Sequence, residues 1–96
     1  MLVKLVELID VGFNEYVLRD LYINSEQIIY MSEDLVTKSK LMEGKINLDI
    51  NKHASFTKIK LNCMEYMKNV VVVGAPSYIE NKIFSRKTRT LLQEKK

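Results

Sequence analysis

Ninety-six residues, 47% hydrophobic and 28% charged, make room for one folded domain with one modest core and exclude a disordered chain. The net charge of +3 is unevenly placed: residues 82–96 hold six of the fifteen Lys/Arg and one acid, Glu94, whereas the rest hold nine Lys/Arg against eleven Asp/Glu. A single cysteine, Cys63, excludes an intramolecular disulfide and a cysteine-rich zinc site, and no apolar run reaches the roughly 20 positions that span a bilayer.

Along the chain, Lys4 and Glu7 interrupt the apolar start before it reaches signal-peptide length, so secretion is not expected and a reducing cytosol is. Residues 2–8, 16–23 and 27–31 are strand candidates, parted by Asp10-Val11-Gly12-Phe13-Asn14 and Asn24-Ser25-Glu26. Residues 33–44 show no clear period and read as a loop or distorted hairpin. Their paired carboxylates, Glu33 and Asp34, are expected to be solvated there rather than catalytic.

Ile46, Leu48 and Ile50 alternate with polar residues and predict a half-buried strand. Thr57, Ile59, Leu61 and Cys63 repeat the pattern, and the connector 51–56 would make the two a hairpin, with Lys58 and Lys60 facing Asp49 and Asn47. His53 falls in that turn with no second histidine to build a site, and Cys63 falls inward as a small core residue. Val70 to Val73 is too continuous to be one-faced and reads as a central strand.

Gly74-Ala75-Pro76 then ends the sheet, and Ser77 to Glu80 has the spacing of a capping box. A helix is predicted from about 78 to about 92, docking Ile79, Ile83 and Phe84 on the sheet and exposing Lys82, Arg86, Lys87 and Arg89. The fold class is therefore α+β: one domain with an antiparallel sheet of about five strands over residues 1–74, a basic C-terminal helix over about 77–92 and a frayed end at 93–96.

Val3-Lys4-Leu5-Val6-Glu7-Leu8, Leu21 through Met31, Thr57 through Asn62, and Val70 to Val73 leading into Ile79 to Ile83 resemble the FlbD-like small β proteins of flagellar operons and similar short bacteriophage proteins. The chain differs from them in a long insertion over 38–49 and in having Asn62-Cys63-Met64-Glu65 where an Asn-Gly turn is usual. The resemblance implies a small binding or regulatory module and brings no catalytic residues with it.

The residues themselves place no acid, base and nucleophile in one motif, so no enzyme, cofactor or metal site is expected. The leading reading is a non-enzymatic protein that grips RNA or DNA phosphates with Lys82, Arg86, Lys87 and Arg89, aided by the charges of Lys95 and Lys96. The same cations equally describe a solvated face that complements its own helix dipole, or a surface for an acidic protein. Tyr16, Tyr22, Tyr30, Tyr66 and Tyr78 occur singly and form no RNA-recognition signature. The runner-up is a protein-interaction module, such as a phage-encoded inhibitor or regulator of a host protein, using a strand edge with Met64, Tyr66, Met67, Leu91 and Leu92. Self-association, no membrane partner, and the cytoplasm of a bacterium or of a phage-infected cell complete the expectation.

Overall fold

The computed structural model describes residues 1–84. β1 (Leu2–Gly12) and β2 (Glu15–Asn24) form a long hairpin. Its two loop residues, Phe13 and Asn14, both take positive φ, 54° and 61°, a geometry whose twist matches that of the flanking strands. A 3-10 turn over Ser25–Gln27 leads to β3 (Ile28–Glu33), followed by α1 (Leu35–Met42), an irregular stretch over 43–55, β4 (Phe56–Asn62) and β5 (Met67–Val73). A second helix, α2, begins at residue 76 and runs through residue 84.

The expected five-stranded antiparallel sheet is present, in the order β2-β1-β5-β4-β3. β2 and β3 occupy opposite edges, yet only three residues join them. Flat, the edges would stand about 19 Å apart at about 4.8 Å per strand, more than so short a connection spans. The sheet must therefore curl, and the Ser25 N–H reaches back to the Met1 carbonyl at the closing corner (2.9 Å).

Each face of the curled sheet carries its own core. On the inner face Val3, Leu5, Ile23, Ile59, Leu61, Val70 and Val72 pack with Ile79 of α2, and Ile83 and Cys63 lie partly buried against them. On the outer face Leu8, Leu41, Ile46 and Phe56 gather with Val71, Val73 and Tyr16. The paired registers Glu7↔Val72 and Ile59↔Val70 explain the parity, since residues directly opposite in an antiparallel pair share a face. β5 lies in the middle of the sheet, where the valine run was expected.

Several local expectations are corrected. Residues 33–44 hold a helix, because Asp34 caps it: its carboxylate accepts from the Thr37 N–H (3.1 Å) and the Thr37 hydroxyl (2.6 Å). Asp34 is thus buried rather than solvated, while Glu33 pairs with Lys38 at 3.8 Å. The alternating stretch 46–50 forms no strand, and β4 pairs with β3 and β5 instead. Ile46, Leu48 and Ile50 reach the outer core from irregular chain, and Asn47 Oδ1 accepts the Tyr16 N–H at 3.0 Å. α2 starts at Pro76, whose missing N–H costs nothing at a first helical position, with the Ile79 N–H bonded to the Ala75 carbonyl (3.1 Å). Ser77 consequently lies inside the first turn and is not the cap that a capping box with Glu80 requires. Phe84 is exposed instead of docked.

Candidate functional site

Of the four expected phosphate contacts, only Lys82 is described; Arg86, Lys87, Arg89, Leu91 and Leu92 lie outside the described residues. Among the described residues, β1 and β5 meet at one register pair, Glu7↔Val72, so the Lys4 carbonyl is left without a strand partner on that side. The Lys82 ammonium donates to that carbonyl and sits 5.8 Å from the Tyr78 ring centroid. It therefore closes the seam that the departing β5 leaves open, with one of its three N–H donors used within the chain.

A second cationic group was not read from the sequence as a site. β4 places Lys58 and Lys60 on the outer face, and β3 sets Ser32 and Tyr30 opposite them. On the other flank β5 sets Val71 and Asn69 opposite the same two lysines. No carboxylate faces either ammonium across either ladder, and among the described residues neither lysine forms an ion pair. The Lys60 ammonium lies 5.8 Å from the centroid of the half-exposed Tyr30 ring. The expectation that Lys58 and Lys60 would face Asp49 and Asn47 fails with the strand that carried them. The missed signal was the alternation of lysines on a strand whose neighbour carries an aromatic residue at the matching position.

Lys45 differs in kind. Its hydrogen bond to Glu43 (2.8 Å), reinforced by the carboxylate's charge, holds its ammonium above the ordinary lysine pKa. The pair is exposed and tied up in itself, which withdraws it from the cationic surface.

Met64 and Tyr66 lie in the β4–β5 turn and Met67 opens β5, and all three are exposed, Met64 to 90%. Cys63 and Tyr66 close the loop through an N–H to carbonyl bond of 2.9 Å, and Met64 stands at φ 69° with its N–H on Asn62 Oδ1 (3.1 Å). His53 is exposed, with its backbone N–H on Asn51 Oδ1. Among the described residues there is no group of three or more His, Cys, Asp or Glu able to hold a metal, and no helix long and apolar enough to cross a membrane.

Comparison of the chain with protein-family models, with curated proteins and with solved structures returns no match in any of the three. Residue chemistry is accordingly what supports a functional reading.

Proposed function

We propose that this chain is a non-enzymatic binding protein for RNA or DNA, gripping phosphates with the outer-face lysines of β4 and with the basic C-terminal residues. The observation that carries this reading is the pairing of Lys58 and Lys60 with neutral residues on both flanking strands, beside an accessible Tyr30 ring. Cations kept clear of carboxylates are available to phosphates, and an aromatic face among them suits an unpaired base. Arg86, Lys87, Arg89, Lys95 and Lys96 add charge from the sequence that follows α2's described turns. Lys82 is dropped from the contact set, because the Lys4 carbonyl holds it at β1 whereas Lys58 and Lys60 stand on β4.

Fluorescence-polarisation titration of labelled single-stranded RNA and duplex DNA at two salt concentrations tests this. Binding that weakens steeply with salt is expected, with a log–log slope of roughly −3 to −4 for about four neutralised phosphates. Binding without salt dependence, or none, would remove the reading. A second reading then gains: a protein-interaction module built on the exposed Met64, Tyr66 and Met67 turn, with β2 as an open sheet edge.

A further inference from the structure

Phe13 is the least expected side chain of the fold. It is wholly exposed, and its φ of 54° is a conformation that bulky residues seldom adopt. Glycine or asparagine would satisfy the turn better, so neither packing nor turn geometry accounts for a phenylalanine there. Backbone strain of this kind directs attention to function.

The molecule also holds an apolar pocket of about 420 Å³ where β5 leaves the sheet, lined by Leu5, Val6, Val73, Ala75, Tyr78 and Lys82. Tyr78 walls it by lying against Gly74: a Cβ at that glycine would meet the ring at 2.7 Å. Phe13 cannot enter the pocket of its own chain. The pocket's β1 residues lie before Glu7 on the strand, whereas Phe13 lies six residues beyond it, about 20 Å away in the opposite direction along an extended chain.

We propose that Phe13 of one copy seats in this pocket of a second copy, joining molecules head to tail. Charge supports the choice of occupant. The hairpin tip, residues 10–15, carries two Asp/Glu and no Lys/Arg, while the described residues 28–84 carry eight Lys/Arg against six Asp/Glu. Asp10 and Glu15 flank Phe13 and form no ion pair among the described residues, and Lys82, whose ammonium gives one of its three N–H donors to the Lys4 carbonyl, lines the receiving pocket. The acidic tip of one molecule's hairpin thus meets the Lys82 ammonium at the pocket of the next. Such a junction uses two different surfaces, so it propagates into a ring or an open chain rather than stopping at a two-fold dimer.

Sedimentation velocity without nucleic acid, from about 10 µM to about 1 mM, tests the junction. The wild-type chain is expected to grow beyond a dimer as concentration rises. Phe13→Ser removes the knob and Ala75→Leu fills the hole; each alone should weaken association about thirtyfold or more. Mixed in equal amounts they retain one working junction between them and should form dimers that grow no further. Should Ala75→Leu lose its circular-dichroism signature, Lys82→Glu replaces it, and Glu15→Lys combined with Lys82→Glu should restore assembly that either change alone weakens. A wild-type chain that stays monomeric throughout, a Phe13→Ser variant that assembles like wild type, or a mixture that remains monomeric overturns the proposal.

Discussion

Asp34 holds Thr37 twice, accepting from its backbone N–H and from its hydroxyl, and this pair of bonds turns residues 35–42 into a helix. With the helix in place, Leu41 reaches the outer core beside Phe56. Asp34→Ala should therefore cost about 1–2 kcal/mol, the range for losing an N-cap, and lower Tm by about 4–8 °C for each kcal/mol. Asp34→Ser should recover most of the loss. Thermal unfolding followed by circular dichroism measures both, and an unchanged Tm in Asp34→Ala would show that the cap does not hold the helix.

Gly74 sits at φ 120° with the Tyr78 ring against it. Gly74→Ala is expected to destabilise by about 1–3 kcal/mol, through backbone strain and displacement of the ring. Combining it with Tyr78→Ala removes the clash but not the strain, so the two changes should cost less together than their sum. Urea denaturation of the three variants checks this, and simple additivity would mean that the ring and the glycine do not interact.

Glu7 is buried on the inner face and answered by Arg19, whose guanidinium approaches its carboxylate at 3.0 Å from a side chain 59% exposed. Solvent screens the arginine, so Arg19→Ala should cost about 1 kcal/mol rather than the larger sum of a fully buried pair. Replacing both residues by Leu should bring stability back toward wild type, since no charge is then left without its partner. Equal stability of wild type and Arg19→Ala in urea would contradict the role given to the pair.

Phe13→Asn should raise stability by about 0.5–1 kcal/mol, because asparagine tolerates the left-handed conformation better than phenylalanine does. The same change should abolish head-to-tail assembly. Opposite effects on stability and on association are what a strained functional residue produces, and a loss of stability would instead give Phe13 a structural role.

Much of the sheet was legible in the chain. β4 and β5 lie where alternation and the valine run placed them, β1, β2 and β3 fall on the strand candidates parted by turn residues, and Gly74-Ala75-Pro76 marks the passage to α2. Residues 46–50 misled because period-2 alternation reports which side chains are buried, not whether the backbone is paired, and irregular chain over a core gives the same pattern. α1 was missed because Leu35 and Val36 are exposed, leaving its face unmarked; Asp34 and Thr37, at capping distance, were the available signal. The cationic face could not be read until β4's partners were known, since Lys58 and Lys60 become a site only beside Tyr30 and away from carboxylates.

The salt dependence of single-stranded RNA binding by the Lys58→Gln/Lys60→Gln variant tests the central claim most directly. If both ammonium groups neutralise phosphates, the log–log slope should shrink in magnitude by about 1.4 relative to wild type, at about 0.7 per lost contact, with folding unchanged. A slope identical to wild type would show that the β4 face takes no part in binding.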